Sequence, residues 1–416
     1  MTSAPLRQPP KTLMVVLLLT MGVGPLLNYG LSATSDELLR RFSITESQFG
    51  LLATTLFVSA TIVSMLLGKL ADVLSIRHQL ILNFGGTGVA MLLAGFANEY
   101  WILLIAMALA GPMQVIANPT TNRVIYELVP VGQRPSWIGV KQSGVQLTQL
   151  MAGLYFPAVT LWLGWPVAAV GAAVFIFASL WWSITQLPPE DPTDWAKVRR
   201  ALLFGRSGVN SRAVERLPLG VWILAVVAMF GGVGMQATNL YLPLYTVREL
   251  DFSLVLGGLS AGIAGIIGVM SRIYWGRLLS RGKPASTLIM LTTGGGILGI
   301  ASLMLAGDFG QVWLLWLGVA LYGLTVLGTN VIVNAATLSM VDASRVGAAS
   351  GITTMGMYAG FAIGPLLAGL LLEATGNFHA SWLSVIAAYA ICFGLAVTLY
   401  VHLRRQRPNA AARSDS

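Results

Sequence analysis

Two cationic side chains stand inside long apolar stretches of the sequence, where a charge is costly. Lys141 lies in WIGVKQSGVQ, about one turn inside the apolar segment 138–161, and Arg272 lies about one turn inside the segment 254–275. In an apolar solvent a charged side chain faces a protein interior or a watery cavity, so such residues mark candidate sites. Because a guanidinium binds a carboxylate through two hydrogen bonds and an ammonium binds it as a point charge, both residues are candidate anion ligands. The alternative for each is a side chain that extends to the membrane interface.

Neutral polar side chains accompany these cations within the apolar segments. Asn118 with Asn122, and Asn330 with Asn334, are spaced four residues apart, so each pair shares one helix face. Some of the amides are expected to serve as hydrogen bonds between helices rather than as ligands. The residues predicted to line a cavity are Asn28, Tyr29, Asn118, Gln142, Gln146, Gln236, Asn239, Asn330 and Asn334, together with the neighbouring Gln149.

Acidic and metal-binding residues are missing from the predicted spans. None of the sixteen Asp and Glu residues falls inside one, and no histidine is internal to one, since His402 is the last residue but one of the segment 380–403. Since a buried carboxylate is a common proton carrier, its absence argues against proton-driven export of cations or drugs. The single cysteine, Cys392, excludes a disulfide framework. We predict no metal, no cofactor and no enzyme activity, because no nucleophile with its base and no histidine cluster is present.

Composition and segment length predict an all-α membrane protein. The chain has 416 residues, of which 56% are hydrophobic and 10% are charged, so its solvent must be largely lipid. A helix of about 20 apolar residues crosses the ~30 Å hydrocarbon layer. The sequence offers twelve such segments, near 13–33, 48–68, 79–97, 101–122, 138–161, 164–186, 219–243, 254–275, 286–306, 312–334, 347–372 and 380–403.

The distribution of basic residues predicts the orientation in the membrane. With the amino terminus in the cytoplasm, only Arg40, Arg41 and Arg248 among the 25 Lys and Arg residues lie outside. Cytoplasmic loops carry the excess of such residues, so we expect both termini inside a plasma (bacterial inner) membrane. The same asymmetry explains the basic net charge without a nucleic-acid partner. We expect a lipid-embedded monomer.

The chain also contains an internal repeat. GVG at 22–24 recurs at 232–234, GKL at 68–70 resembles GRL at 276–278, and NPTTN at 118–122 resembles NVIVN at 330–334, with offsets of 208 to 212 residues. We therefore predict an amino-terminal six-helix half (1–186), a cytoplasmic linker (187–218), a carboxy-terminal six-helix half (219–403) and a basic cytoplasmic tail (404–416). Parallel repeats of this kind place a binding site between the halves near the membrane midplane.

The segment GKLADVLSIR (68–77) resembles the loop signature of the major facilitator superfamily. Gly68, Asp72 and the closing Arg77 match that signature, and the second copy, GRLLSRGK (276–283), keeps Gly276 and a basic tail that begins at Arg277. With the twelve spans and the repeat, the resemblance covers essentially the whole chain. It implies the major facilitator fold and transport by alternating access, with Asp72 pairing to a basic group at the cytoplasmic face and Gly68 permitting a close helix crossing. The second copy lacks the acid, having Ser280, which predicts a weaker, one-sided gate.

The resemblance and the cations together predict a carrier of a small organic anion. NPTTNR, GVKQSG and GPLLAG are similar to segments of cyanate and small organic anion carriers. An arginine in the eighth span also resembles the carboxylate-binding arginine of oxalate–formate and monocarboxylate carriers. The alternative is an exporter of neutral or lipophilic compounds, in which both cations are interfacial. A membrane receptor that retains the fold is a second alternative, from another functional class. The sequence leaves substrate identity, direction and coupling ion open.

Overall fold

Helices make up nearly the whole of the described chain. The computed structural model describes residues 9–130, 133–188, 193–204, 217–342 and 345–414. No β-strand occurs in this part of the chain, and a π-helical segment, Ile81–Gly85, precedes α6. The α-helices are α1 (Lys11–Val23), α2 (Leu26–Ala33), α3 (Ser35–Phe42), α4 (Glu46–Val73), α5 (Ile76–Leu80), α6 (Gly86–Gly95), α7 (Tyr100–Leu128), α8 (Arg134–Leu163), α9 (Trp165–Gln186), α10 (Trp195–Phe204), α11 (Leu219–Glu249), α12 (Leu254–Ser280), α13 (Ala285–Phe309), α14 (Val312–Ser339), α15 (Val346–Thr375) and α16 (Phe378–Ser414).

The all-helical membrane prediction is confirmed. Within the described residues, nine helices are long and apolar enough to cross a membrane, and the bent pair α1 and α2 adds a tenth. The other two predicted spans correspond to the run 76–95, which the π-helical segment divides, and to α8, which is thirty residues long and carries Lys141 and several glutamines. Several helices extend past the apolar segments, because a helix can continue into the polar membrane boundary.

The first span is bent because of a Gly-Pro step. α1 and α2 meet at an angle of 56° around Gly24 and Pro25. Proline has no N–H and its ring clashes with the preceding turn, which breaks the helix there. A Cβ on Gly24 would stand only 2.8 Å from the Cα of Gln114 on α7, so glycine permits the first span to lie directly against the fourth.

The predicted repeat recurs in the helix packing. Gly144 on α8 lies against the carbonyl oxygen of Leu18 on α1, where an added Cβ would stand 2.3 Å away. In the second half Gly356 on α15 lies against the carbonyl oxygen of Ala225 on α11, at 2.4 Å. Small residues let helix backbones approach closely in lipid, where van der Waals contact rather than hydrophobicity holds helices together. Two helix pairs at corresponding places therefore make the same kind of contact.

Contacts divide the chain into two compact units. The first contains residues 1–208 and 239–266, and the second contains 209–238 and 267–416. The division falls within α11 and α12, so the carboxy-terminal part of α11 and the amino-terminal part of α12 pack in the first unit. Ser32 explains part of this grouping, because its hydroxyl donates to the carbonyl oxygen of Asn239 at 2.7 Å. Pro243 has no N–H to occupy that carbonyl, so an outside donor satisfies it.

Alanine substitutions at the two repeat-related glycines test this packing. We expect Gly144→Ala and Gly356→Ala each to destabilise the protein by about 1–3 kcal/mol, because the new methyl group must displace a backbone carbonyl. Thermal unfolding in detergent measures the effect. Gly139→Ala and Gly351→Ala are matched controls on the same helices, since a Cβ there meets nothing within 4 Å. Equal melting temperatures for all four variants would contradict the packing argument.

Candidate functional site

The amine of Lys141 is fully buried against neutral oxygens. The residue is 0% exposed, and Nζ donates to Thr121 Oγ1 at 2.7 Å and to Asn122 Oδ1 at 2.6 Å, both on α7. Within the described part of the chain, no carboxylate oxygen lies within 4.0 Å of Nζ. An ammonium group has three donors and no acceptor, and a buried charge without a counter-charge is costly. An anion bound beside this amine would supply that counter-charge.

Packing does not require a lysine at this position. Thr353 on α15 is the repeat-related residue, and its hydroxyl lies 3.2 Å from that of Thr337 on α14. Two hydroxyl groups meet between the tenth and eleventh spans, whereas the Lys141 amine makes the corresponding contact between the fourth and fifth spans. A neutral side chain can serve in this helix pair, so the cation at 141 needs a functional explanation.

Asn118, Asn122 and Gln142 form a polar surface beside Lys141. Both asparagines are exposed, and Gln142 Nε2 donates to Asn118 Oδ1 at 3.2 Å. Because lipid offers no partner to an amide, we expect these exposed amides to face water rather than hydrocarbon. Asn122 contacts the Lys141 amine directly, so this surface connects the buried amine with the exposed side of α7.

A second group of amides lies farther along α8. Gln149 Nε2 donates to Asn239 Oδ1 at 3.3 Å, and Asn239 is joined to α2 through Ser32. Asn28, one turn before Ser32, is 3% exposed, and Gln146 and Gln149 are each 2% exposed. Leaving a buried polar atom unpaired costs about 1–3 kcal/mol, so a buried amide oxygen without a protein partner is suited to accept a hydrogen bond from a hydroxyl group or water. Among the described residues of the first unit, the buried amide oxygens without a protein partner belong to Asn28, Asn83, Gln114, Gln146 and Gln149. Tyr29, also predicted, is buried beside Asn28.

Arg272 lies on α12 against the backbone of α14. Its Nε donates to the carbonyl oxygen of Leu327 at 3.1 Å, and the side chain is half-buried. Gly328 makes this approach possible, since a Cβ there would stand 2.4 Å from Ser271 Oγ and 2.5 Å from Trp275 Cδ1. Nε is one of five guanidinium donors, and this backbone bond ties the side chain to α14.

The other polar residues predicted in the second unit occupy different environments. Asn330 lines a small cavity together with Thr292 and Tyr389, and its Nδ2 lies 3.8 Å from Met235 Sδ. Gln236 is buried, and its Nε2 has no protein partner among the described residues. Asn334 is exposed. The two asparagines predicted to share a face therefore differ in burial.

The gate signature is partly helical rather than a loop. Gly68 and Asp72 lie in α4, which ends at Val73, so the expectation of a loop over the whole motif is wrong. The side chains at these two positions lie outside the described residues, so their predicted roles stay predictions. Arg77 is exposed on α5. In the second copy, Arg277 is exposed, and a Cβ on Gly276 would meet its nearest atom at 3.8 Å, which is ordinary contact. The described surroundings therefore do not require glycine at 276.

Two side chains cap the end of α4 beside this motif. Gln79 Nε2 donates to the carbonyl oxygens of Ala71 and Leu74 at 2.7 and 2.9 Å. Arg123 Nη1 donates to the Leu74 carbonyl at 2.6 Å, while its Nε pairs with Glu127 at 2.7 Å. The last carbonyls of a helix need such donors, and a cation also complements the helix dipole. Arg123 therefore ties α7 to the end of α4.

The linker contacts the first unit just after the end of α4, at Ser75 and His78. Thr193 Oγ1 accepts from the N–H of Ser75 at 3.0 Å and lies 3.0 Å from His78 Nδ1. The linker then forms α10, whose start is capped by Asp194 through the N–H groups of Ala196 and Lys197. The backbone hydrogen bond from Lys197 lowers the pKa of the Asp194 carboxyl.

An ionic cluster joins α11 to the region between α2 and α4. Arg248 Nη1 pairs with Glu46 Oε1 at 2.5 Å, and Arg248 Nε lies 3.4 Å from Asp36 Oδ1. Arg40 also pairs with Asp36, at 2.7 Å, and the Tyr241 hydroxyl donates to the Glu46 carbonyl at 2.6 Å. Asp36, Glu46 and Arg248 form what we call the outer ionic cluster, because all three lie at predicted extracellular helix ends.

Sequence reasoning missed this cluster and several buried partners. Arg248 is 212 residues from Asp36 and 202 from Glu46, so spacing gave no signal for their contact. Thr121 and Gln114 could have been found, because each is a polar residue in the apolar run of α7. In the described residues, no group of three or more His, Cys, Asp or Glu side chains is placed to hold a metal ion.

Known proteins with similar sequences are transporters and a sensor. The chain is 23% identical to the membrane sensor protein UhpC of Salmonella typhimurium, over 94% of this chain and 92% of that protein. It is 25% identical to the hexuronate transporter of Bacillus subtilis, over 86% of this chain and 87% of that protein. Among solved structures, a bacterial homolog of the human lysosomal transporter Spinster, in an inward-facing and occupied conformation, shares the fold, with a TM-score of 0.74 at 14% identity. It covers 95% of this chain and 97% of its own.

The family model called Major Facilitator Superfamily matches residues 12–356 and, separately, 289–415. Together these matches span nearly all the described helices, and they agree with the all-helical fold and the repeated packing. Family membership places the chain among transporters rather than among enzymes. The chain is a multi-pass membrane protein that belongs to the major facilitator superfamily.

Proposed function

We propose that this transporter carries a small organic anion across the membrane by alternating access. The observation that carries the proposal is the buried amine of Lys141, which contacts two neutral oxygens and, in the described residues, no carboxylate. A cation in this position favours a negatively charged solute over a cationic one. The similarity to a hexuronate transporter supports the same reading, because a hexuronate is a carboxylate, and it favours that reading over the export of neutral or lipophilic compounds.

Arg272 is the second proposed anion ligand. Its bond to the Leu327 carbonyl orients the guanidinium, and a guanidinium matches the two oxygens of a carboxylate. The repeat-related residue in the first half is Ser64, whose hydroxyl donates to the carbonyl of Thr61 on its own helix at 2.8 Å. An arginine is therefore not demanded by packing at this place in the repeat. Gln142, Gln146, Asn118 and Asn330 are proposed to bind the neutral parts of the solute.

The cellular setting is part of the proposal. We place the protein as a monomer in the plasma membrane (the inner membrane of a bacterium), with both termini in the cytoplasm. The distribution of basic residues supports this orientation. The moving halves are residues 1–186 and 219–403, joined by the linker 187–218, with 404–416 as a basic tail. The gate residues at the cytoplasmic face are Gly68, Asp72, Arg77, Gly276 and Arg277.

Uptake by proteoliposomes tests the anion proposal. We expect the parent to take up a labelled carboxylate from a panel of carboxylates, cyanate-like anions and lipophilic drugs. We expect Arg272→Gln to reduce that uptake roughly ten- to a hundredfold, because a charged hydrogen-bond partner is lost. Lys197→Gln is the control, since it removes an exposed cation from the linker, outside the proposed site and gate, and should leave uptake near the parent level.

The same assay separates the alternatives. Parent activity towards lipophilic drugs with none towards anions would overturn the proposal in favour of the exporter. Saturable anion binding without uptake would point instead to a receptor, the class to which the name of the UhpC relative belongs. Equal anion uptake by Arg272→Gln and the parent would remove Arg272 from the site.

Opening of the predicted extracellular side requires the outer ionic cluster to break. We expect Arg248→Gln to expose the outer part of α11, because it removes both ion pairs to α3 and α4. A Leu244→Cys reporter, buried at 0% exposure, would be labelled by an impermeant maleimide in a Cys392→Ser background. We expect labelling to become several-fold faster, since each partly exposed pair contributes about 0–1 kcal/mol.

Arg40→Gln is the control for the outer ionic cluster. Arg40 pairs with Asp36 and Glu37 on its own helix, so its loss should leave the labelling rate unchanged. Equal labelling in the parent and in Arg248→Gln would show that this cluster does not hold the outer part of α11.

A further inference from the structure

The environment of Lys141 raises the question of how its charge is handled when no anion is bound. A buried ammonium with neutral partners carries a large desolvation cost. That cost can be removed in two ways, by an anion placed beside the amine or by loss of a proton to give a neutral amine. A neutral amine still donates two hydrogen bonds, which matches the two acceptors, Thr121 Oγ1 and Asn122 Oδ1.

The helices packed against α8 offer few other charged groups. These helices are α1, α2, α7 and α9, with contacts also from Gly258, Gly262 and Gly265 on α12. α9 and the α12 segment 254–266 contain no titratable residue. On α7, Arg123 and Glu127 pair with each other rather than with the lysine. The titratable side chains on α1, α2, α7 and α8 besides Lys141 are Lys11, Tyr29, Tyr100, Arg123, Tyr126, Glu127, Arg134 and Tyr155.

We propose that Lys141 carries the coupling proton, so that each monovalent anion crosses the membrane together with one proton. This inference rests on the proposed anion transport. In the empty carrier the amine is neutral. On the loading side the amine takes a proton from water and the anion binds beside the resulting ammonium, so the buried charges cancel. On the release side the anion leaves first, and the stranded ammonium returns its proton to water. One negative and one positive charge are moved, and the carrier returns empty in its original protonation state.

Such a role explains why a lysine stands here. Arginine is effectively always charged, whereas the lysine ammonium can lose its proton in an apolar site. The proposal also removes the need for a carboxylate proton carrier, which the predicted spans lack. Lys141→Arg therefore keeps the positive charge but cannot release a proton, and Lys141→Gln has neither the charge nor the proton.

The decisive measurement follows protons and anion together. Proteoliposomes that contain a pH-sensitive dye would be given a labelled carboxylate that the parent transports. We expect the lumen to acidify as the carboxylate enters, with about one proton for each anion, and an alkaline lumen to drive accumulation several-fold above equilibrium. Lys141→Arg should retain exchange of labelled for unlabelled anion and lose the acidification and the accumulation. Lys197→Arg, the same substitution on the exposed linker, should behave as the parent.

Proton uptake by the detergent-solubilised parent gives a test that does not depend on the arginine variant folding in a buried site. Titration calorimetry with the carboxylate in two buffers of different ionisation enthalpy counts the protons taken up on binding. We expect about one proton for the parent and none for Lys141→Gln at saturating carboxylate. Anion uptake by the parent without proton movement would overturn the coupling role and leave the anion transporter intact. Proton-coupled accumulation that survives in Lys141→Arg would also overturn it. Absence of any anion uptake by the parent would instead contradict the proposed function itself.

Discussion

Lipid offers no hydrogen bonds, and this constraint explains how polar groups inside the membrane-spanning helices are paired. Every backbone carbonyl that a proline releases must find a donor within the protein. At Pro243 the released carbonyl of Asn239 is met by the Ser32 hydroxyl from another helix, so the break in the α11 ladder becomes a contact with α2. At the end of α4, Gln79 and Arg123 donate to the last carbonyls, which have no partner within the helix. The positions of helix breaks thus decide which helices are joined by polar bonds.

The two halves share a packing scheme but differ in their charges. Gly144 and Gly356 make equivalent contacts with the backbone of a neighbouring helix. Both halves of the repeat cross helices at this place, so both need a small residue there. Lys141 and Arg272, by contrast, have Thr353 and Ser64 at the repeat-related positions. A scaffold needs equivalent small residues at equivalent crossings, whereas recognition of a solute has no reason to be symmetric. Departures from the repeat are therefore better guides to function than residues that obey it.

Sequence reasoning was strongest where a property depends on near neighbours. The helical fold follows from apolar segment length, and the candidate cations follow from a local contrast between charge and surroundings. It failed where the outcome depends on distant residues. Nothing in the spacing of Asp36, Glu46 and Arg248 indicates that they meet. Asn330 is half-buried and Asn334 is exposed, and this difference depends on which helix covers each residue. The resemblance to a loop signature predicts a loop for the gate motif, yet α4 continues to Val73, because a helix tolerates polar residues beyond the hydrocarbon.

The contacts that hold the outer part of α11 differ in how easily they can be exchanged. The ion pairs of Arg248 are partly exposed, so water can replace them at a cost of about 1 kcal/mol or less. Breaking the Ser32 contact with the Asn239 carbonyl costs more, because it leaves a backbone acceptor without a donor in an apolar setting. Entry of water at this place would lower that cost. A solute can shift such an equilibrium only by the difference between its affinities for the two states. Under the proposed function, a bound anion would have to supply the few kcal/mol that break these contacts through the difference between its affinities for the two states.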